Sequence, residues 1–297
     1  MSCDARSHPA SGLPTIWYHC EGGPTATTFL SNVYAYRSIH PVGENTVGLS
    51  RTDIEQYHRD GFLVVENLFS AEEVQVLVEE ISGDRVAANI RHRQDGSGKT
   101  AKLSIWHELG NDIWAAASTD PRIVNAIRLL VGEDVSFFHG KAMLKEAHSG
   151  GAWVWHQDYG YWYNQGFAYP QMISAFVALD PATRQNGCLQ VLKGSHRIGR
   201  INHMKVGDQT GADPERVAML ESFSELLHVE MKPGSVLFFH CNLLHQSDPN
   251  ESDEDRRSFI MCYTALSNPQ LADQRTYEHK SCPVGPEDNI VSTARGS

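Results

Sequence analysis

A His-x-Asp triplet, His156 and Asp158, is the part of the sequence whose residue types and spacing best suit metal chemistry. On a β-strand, side chains two positions apart point to the same face, so this imidazole and this carboxylate can hold one metal ion together. A third histidine from another strand would complete two histidines and one carboxylate. That ligand set is used for Fe(II) in non-haem oxygenases and leaves coordination positions open for chemistry.

The triplet needs support from its surroundings, because histidine followed two residues later by an acid is common. With 15 histidines and 36 acidic residues in 297, about two such triplets are expected by chance. The chain also has them at His19, His58 and His228. Only His156-x-Asp158 lies in a dense aromatic stretch, residues 153–163. A purely structural core would not also carry His, Gln and Asp, since buried polar groups without partners cost about 1–3 kcal/mol each. This context favours a site.

The third metal ligand has two candidates in the segment LFFHCNLLHQSDPN, namely His240 and His245, and the pattern alone does not separate them. Arg256 and Arg257 follow, at the start of an apolar strand. An arginine at the mouth of a barrel is a suitable partner for a carboxylate cosubstrate, because its planar fork pairs with both oxygens. The alternative is a solvated turn in which the arginines pair with their acidic neighbours in ESDEDRR.

The elements around these residues predict helices first and strands afterwards. Thr52-x-x-Glu55 and Ser70-x-x-Glu73 predict capping boxes at two helix starts, and a third helix is expected over 121–131. Short apolar or alternating segments predict strands over 62–65, 135–145, 171–180, 187–192, 226–231, 235–240 and 258–265. Residues 205–224 are expected to form a loop or short helical insertion, and the polar tail after Pro269 to wrap the surface.

This order of elements predicts a mainly β fold with flanking helices, either a barrel or a double-sheet jelly roll. Residues 1–50 have little periodicity and are expected to be an N-terminal extension. Residues 51–297 are expected to form a single domain, whose length allows a large core without disulfides.

Composition narrows the class of protein. A net charge of −11 argues against a general nucleic-acid or anionic-membrane binder. Six scattered cysteines without a CxxC motif fit a reducing compartment. The chain has no secretory signal and no apolar run long enough to span a membrane, so we expect a cytoplasmic protein that acts on a small molecule. Nothing in the sequence specifies an oligomeric state.

Three blocks in order carry a family resemblance. WHQD at 155–158, NGCLQVLKGSH at 186–196 and HQSDPN at 245–250, with Arg256 eleven residues beyond His245, resemble the phytanoyl-CoA dioxygenase (PhyH) family. The segment YHRDGFLVVENLFSAEEV resembles the usual start of that family, so the likeness covers about residues 50–268. The family consists of Fe(II)- and 2-oxoglutarate-dependent oxygenases on a double-stranded β-helix, a cupin-like jelly roll.

The resemblance implies a role for each matching position. His156, Asp158 and His245 would bind iron, and His240 would lie outside the metal site. Arg256 would bind the far carboxylate of 2-oxoglutarate, with Ser247 and Lys145 beside it. Gln157 and Asn186 would either contact 2-oxoglutarate or support the residues that do. Arg257 replaces Arg256 if the strand register differs by one. The aromatic residues after the metal block would form a wall of the substrate pocket: Tyr159, Tyr161, Trp162 and Tyr163.

The reaction implied is hydroxylation of an aliphatic carbon of a small molecule by dioxygen, coupled to decarboxylation of 2-oxoglutarate to succinate. Two alternatives come from other classes. One is a cupin-like metal enzyme that does not use 2-oxoglutarate, in which Arg256 would have no carboxylate partner. The other is a non-catalytic binding barrel, which would need neither the metal ligands nor the arginine.

Overall fold

The structure is a computed structural model, and it describes residues 48–271 and 278–296. The expected extension over residues 1–50 therefore lies almost entirely outside the described residues. Within the described part of the chain, no helix combines the length and the apolar character needed to cross a membrane.

Two antiparallel sheets dominate the described residues. The larger has seven strands in the order β1-β11-β6-β13-β4-β3-β2, and the smaller has four in the order β10-β7-β12-β5. The strands are β1 Phe62–Val65, β2 Ile90–Gln94, β3 Thr100–Trp106, β4 Val135–Lys145, β5 Trp153–His156, β6 Met172–Ala178, β7 Leu189–Leu192, β8 His203–Val206, β9 Gln209–Ala212, β10 Leu226–Val229, β11 Val236–His240, β12 His245–Ser247 and β13 Arg256–Ala265. Strands β8 and β9 form a separate hairpin.

Helices lie outside the larger sheet and around the site. They are α1 Arg51–Asp60, α2 Ala71–Glu80, α3 Asp84–Ala88, α4 Ile113–Ser118, α5 Pro121–Val131, α6 Asp158–Asn164, α7 Pro214–Glu221 and α8 Asn289–Gly296. Strand residues alternate between two apolar cores because successive side chains point to opposite faces. On β13, Phe259 and Met261 pack with the helices, whereas Ile260 and Cys262 pack between the sheets. The architecture is a double-stranded β-helix, or jelly roll, with external helices.

Most of the predicted elements are confirmed. The helix over 121–131 and the strands over 62–65 and 135–145 have the predicted bounds, and the other predicted strands are present with ends shifted by up to two residues. The capping box at Ser70 and Glu73 is confirmed. The one predicted at Thr52 is displaced, because helix α1 begins two residues earlier and is capped by Ser50 with Asp53.

Three expectations need correction. Asp158 is not on a strand: β5 ends at His156, and Asp158 is the first residue of α6. The region 205–224 contains the expected short helix, α7, but also most of the β8–β9 hairpin. The tail does more than wrap the surface, since Cys282 and Ile290 are buried in the core beneath the helices.

Candidate metal and cosubstrate site

The smaller sheet brings His156, Asp158 and His245 together. In the β12–β5 pairing, His245 lies directly opposite His156, and the two imidazole ring centroids are 4.0 Å apart. Asp158 follows two residues after His156, where the chain turns from β5 into α6. One ligand atom from each of the three residues lies within 4.8 Å of the others, and all three side chains are buried. The geometry is that of a mononuclear metal site.

Both histidines are held in the tautomer that a metal requires. Nδ1 of His156 lies 2.8 Å from the carbonyl oxygen of Val154, and Nδ1 of His245 lies 2.9 Å from that of Leu243. Because a carbonyl only accepts, Nδ1 must carry the proton in each ring, which leaves the Nε2 lone pair for a metal. Burial lowers the pKa of both histidines, so the neutral, metal-binding form prevails at pH 7.

The Asp158 carboxylate is fixed from the opposite sheet. The Ser174 hydroxyl on β6 donates to Oδ2 at 2.9 Å, and the Lys141 ammonium on β4 lies 3.8 Å from Oδ1. Burial alone would raise the pKa of Asp158, but the positive charge of Lys141 and the Ser174 hydrogen bond help hold it below its ordinary value. The carboxylate is therefore ionised and oriented.

A second group of polar residues surrounds Arg256, which lines the same cavity. The β13–β4 register places Arg256 opposite Lys145, and both side chains are buried. The Lys145 ammonium donates to Ser247 Oγ at 2.8 Å and to the carbonyl of Asp248, while Arg256 Nη1 donates to the Gly187 carbonyl at 2.7 Å. Burial lowers the pKa of Arg256 to about 10, and burial together with Arg256 lowers the pKa of Lys145 well below its usual range.

These two cations lack an anionic partner. Within the described part of the chain neither Arg256 nor Lys145 forms an ion pair, and Arg256 Nε is buried without a hydrogen-bond partner. An uncompensated buried charge is costly, so such a pair is typical of a binding site for an anion. The Arg256 guanidinium and Ser247 line the same cavity as the metal cluster.

The other member of each candidate pair, Arg257 and His240, lies outside the cavity. Arg257 points away from the cavity and forms a two-pronged ion pair with Asp180, at 2.7 and 2.8 Å. His240 lies near His196, with ring centroids 5.3 Å apart, and its Nδ1 accepts from the Asn242 backbone amide. Neither residue is among those that line the cavity.

Gln157 and Asn186 have structural partners rather than free polar atoms. The Gln157 amide group donates to the carbonyls of Gly199 and Asn242, both at 2.8 Å, and its oxygen accepts from the Ile201 amide at 2.7 Å. Asn186 closes a turn by accepting from Thr183 and donating to Pro181. Both side chains hold loops next to the site, and their expected contact with 2-oxoglutarate stays a prediction.

The aromatic residues after the metal block divide between the cavity and elsewhere. Tyr161 and Trp162 line the cavity, and the Tyr161 hydroxyl donates to the Thr210 carbonyl on β9 at 2.6 Å. Tyr159 is buried in the core, where its hydroxyl donates to the Phe167 carbonyl. Tyr163 is 48% exposed and lies beneath the Arg200 guanidinium. Only half of the expected aromatic wall therefore faces the cavity.

The cavity itself has a volume of about 560 Å³ and contains residues that the sequence analysis missed. Lys141 and His139 belong to the cavity-facing side of β4, and Arg91 and Arg93 reach it from β2. Strand alternation counted back from Lys145 would have found the first two, because positions 145, 143, 141 and 139 share one face. No comparable signal marked β2, whose sequence IRHRQ has no apolar alternation.

A jelly roll that holds two neutral histidines and one ionised carboxylate in a buried cavity, with an unpaired arginine in the same cavity, defines a class of protein. It is the class of mononuclear non-haem iron oxygenases with a carboxylate cosubstrate.

Comparison with known proteins agrees with this class. Residues 57–258 match the family model described as phytanoyl-CoA dioxygenase (PhyH). The ectoine dioxygenase of Bordetella bronchiseptica is 30% identical over 247 residues, which are 77% of this chain and 80% of that protein. The L-proline trans-4-hydroxylase of Streptomyces griseoviridis is 26% identical over 255 residues, 78% of this chain and 94% of that protein. The crystal structure of EctD from S. alaskensis in its apoform superimposes with a TM-score of 0.69 at 25% identity, covering 83% of this chain and 91% of that one.

The chain belongs to the phytanoyl-CoA dioxygenase family, and it is a dioxygenase of the Fe(II)- and 2-oxoglutarate-dependent class. The resemblance seen in the sequence is confirmed. This result favours the dioxygenase over the two alternatives, the metal enzyme without 2-oxoglutarate and the non-catalytic barrel.

Proposed function

We propose that the protein hydroxylates an aliphatic carbon of a small molecule and converts 2-oxoglutarate to succinate in the same reaction. His156, Asp158 and His245 would hold Fe(II) through two Nε2 atoms and one carboxylate oxygen. The donor set fits this ion, because the Nδ1 hydrogen bonds of both histidines aim Nε2 into the cavity and Asp158 is ionised.

Arg256 would bind the far carboxylate of 2-oxoglutarate, with Lys145 and Ser247 beside it. The single observation that carries this proposal is a buried guanidinium, 3% exposed, without a counter-ion in the cavity that also contains the metal ligands. A dicarboxylate that bridges the metal and Arg256 would supply the missing negative charge. Arginine suits this role because its donors pair with both carboxylate oxygens.

When bound, the iron supplies the oxidising chemistry, using dioxygen and 2-oxoglutarate to attack an unactivated carbon–hydrogen bond. The residues of the chain do the rest. The Ser174 hydroxyl and the Lys141 ammonium keep the Asp158 carboxylate ionised and in place. Trp162 and Tyr161 form part of the cavity wall, with the Tyr161 ring centroid 5.6 Å from that of His156, and their apolar surface would limit water near the metal ligands. Position and exclusion of water are the contributions that a protein makes to such a cofactor.

The relatives support a small substrate, since one of them is named for ectoine and another for L-proline. We also propose a cytoplasmic location for the enzyme. All the cysteines that the structure describes, Cys188, Cys241, Cys262 and Cys282, are unpaired thiols, which is typical of a reducing compartment.

The test compares two neighbouring arginines. Arg256→Gln and Arg257→Gln are titrated with 2-oxoglutarate in a calorimeter, anaerobically and with Mn(II) in place of Fe(II). Loss of a charged hydrogen-bonding partner costs about 1.5–3 kcal/mol, so we expect 2-oxoglutarate to bind Arg256→Gln about 10- to 100-fold more weakly. Arg257→Gln should bind it like the wild type, because Arg257 pairs with Asp180 outside the cavity.

Succinate release in air with Fe(II) completes the test. The wild type should release succinate when a suitable metabolite is added, and Arg256→Gln should need more 2-oxoglutarate for the same rate. Normal 2-oxoglutarate affinity in Arg256→Gln, or weakened affinity in Arg257→Gln alone, would show that the cosubstrate is bound elsewhere.

A further inference from the structure

The cavity has more positive than negative charge. Four basic side chains line it, Arg91, Arg93, Lys141 and Arg256, but only two acidic ones, Asp158 and Asp208. On the proposed function, on which this inference rests, Fe(II) and the two carboxylates of 2-oxoglutarate add equal and opposite formal charges. The excess of positive charge therefore remains after both have bound, and it favours the binding of a further anion.

Lys141 is the cation nearest the metal ligands. Its side chain is only 19% exposed, and it lines the cavity. In the described residues its one ionic partner is Asp158. Once Asp158 also binds a metal dication, its single negative charge is shared between the metal and Lys141. Lys141 is then a largely buried ammonium that lines the cavity and has no ionic partner of its own within the described part of the chain.

Lys141 on β4 and the two arginines of β2, Arg91 and Arg93, form one basic wall of the cavity. The arginines extend this wall to the mouth of the cavity. Across three adjacent strands, Arg91 lies opposite Leu103 and Leu103 lies opposite Met143, two residues from Lys141 on the same face. Arg93 is two residues beyond Arg91 on β2, so it shares this face. Among the residues that the structure describes, no acid forms an ion pair with Arg91 or Arg93, although both are exposed.

A neutral hydrogen-bonding group lies in the same wall. His139 is 3% exposed and lines the cavity, and neither of its ring nitrogens has a hydrogen-bond partner. Buried polar groups without partners are uncommon in native proteins, and in a binding cavity they indicate a polar group of the ligand. Because His139 and Lys141 are two residues apart on β4, both are available to one group of the substrate.

We propose that the substrate carries a carboxylate, which Lys141 binds inside the cavity and which Arg91 and Arg93 attract at its mouth. The basic wall on β2 and β4 is separate from Arg256, so the enzyme would bind two carboxylate compounds at once, 2-oxoglutarate and its substrate. A carboxylate fits better than a bulkier anion, because 2-oxoglutarate already occupies part of a cavity of about 560 Å³.

The experiment uses pairs of small compounds that differ only in charge. Benzoate and benzamide, and cyclopentanecarboxylate and cyclopentanecarboxamide, are titrated into full-length protein loaded anaerobically with Mn(II) and saturating 2-oxoglutarate. Binding is followed by ligand-observed NMR and by the fluorescence of the cavity tryptophans Trp153 and Trp162. We expect at least one acid to bind about tenfold more tightly than its amide, because charge-assisted hydrogen bonds are roughly twice as strong as neutral ones.

Variants of the basic wall show which side chains cause the preference for acids over amides. The double variant Arg91→Gln/Arg93→Gln should reduce the preference for the acid several-fold, and Lys141→Met should abolish it. Arg51→Gln is the matched control, since Arg51 is exposed and pairs only with Glu55 on helix α1. The arginine variants keep the test informative even if Lys141→Met also weakens metal binding through Asp158.

Each outcome decides the proposal. Equal binding of acids and amides, no binding of any acid, or a preference that persists in both the arginine and the lysine variants would overturn it. Mn(II) and 2-oxoglutarate affinities are measured on the same samples. If the wild type fails to bind these two, the proposed function has failed. If it binds both and shows no preference for acids, only the carboxylate substrate is rejected.

Discussion

Gln157 shows how much of the metal site depends on a residue that does not face the metal. Its side chain lies between His156 and Asp158 in sequence but points into the loops, where it makes hydrogen bonds to three backbone groups. Its backbone amide donates to His203 Nε2 at 3.1 Å. The loop at Gly199 and Ile201 and the segment at Asn242 are thereby tied to the short link that joins the two ligands.

Replacing Gln157 by leucine should destabilise the protein strongly. Two of the three backbone partners, the Asn242 carbonyl and the Ile201 amide, would be left buried without hydrogen bonds, at about 1–3 kcal/mol each. We therefore expect the free energy of unfolding to fall by about 2 kcal/mol or more. Urea denaturation followed by tryptophan fluorescence measures this change. Gln75→Leu serves as the control, because Gln75 is exposed and bonds only to Glu79. A loss below about 1 kcal/mol would mean that water replaces the missing partner.

Two hairpins outside the main run of strands complete the cavity at the level of elements. The β2–β3 hairpin extends the larger sheet and contributes Arg91, Arg93 and Ile105 to the cavity. The β8–β9 hairpin packs over β5 and contributes Asp208, Gln209 and Thr210. Gln209 connects the two hairpins, since its amide group donates to the carbonyls of Ala152 and Gln94.

The close packing of β9 on β5 depends on Gly211. A Cβ atom at this position would lie 2.8 Å from the Trp155 carbonyl oxygen and 2.7 Å from Val154 Cγ2. Because a carbonyl oxygen of the backbone cannot move aside easily, we expect Gly211→Ala to push the hairpin away from β5 and to cost about 1–3 kcal/mol.

Hydrogen exchange measured by mass spectrometry tests this prediction. Exchange in Gly211→Ala should be faster over His203–Ala212 and over Trp153–His156, with a lower melting temperature. Gly96→Ala is the matched control, because nothing lies within 4 Å of a Cβ there and its φ is not positive. Unchanged exchange over the hairpin would show that the contact relaxes without displacing it.

On the scale of the whole molecule, burial of histidines links folding to pH. The pKa is lowered, with burial as the largest cause, for His58, His107, His139, His156, His196, His203, His240 and His245. In the unfolded chain these groups bind protons below about pH 6.5, whereas in the native protein they do so only at lower pH. The free energy of unfolding of the metal-free protein should therefore fall as the pH falls below 6.5.

His240 provides the clearest test, because burial, aided by His196 and His58, lowers its pKa to about 3. Between pH 6 and pH 4 this one group should reduce the free energy of unfolding by about 1.4 kcal/mol per pH unit. His240→Asn removes the titration and keeps an acceptor for the Asn242 amide. Its stability should decline less steeply with falling pH.

Urea unfolding in the presence of EDTA at several pH values measures the two slopes. His92→Asn is the control for loss of one histidine at an exposed position. Parallel slopes for His240→Asn and the wild type would show that His240 is protonated in both the folded and the unfolded state.

The sequence by itself determined the features that depend on local patterns. Helix α5 and strands β1 and β4 have the predicted bounds, because capping residues and periodicity act over a few neighbours. The HxD motif, singled out by the aromatic stretch around it, contains two of the three residues that cluster in the structure, His156 and Asp158. Strand β2 escaped prediction, since an exposed strand with the sequence IRHRQ has no apolar alternation to reveal it.

Only the tertiary structure decided which members of each candidate pair face the cavity. His245 rather than His240 lies opposite His156, because β12 pairs with β5 while β11 belongs to the other sheet. Arg256 rather than Arg257 enters the cavity, because the β13–β4 register sets which face of the strand points inward. Pairing and register arise from contacts between residues about 90 to 110 positions apart, which periodicity along one segment does not encode.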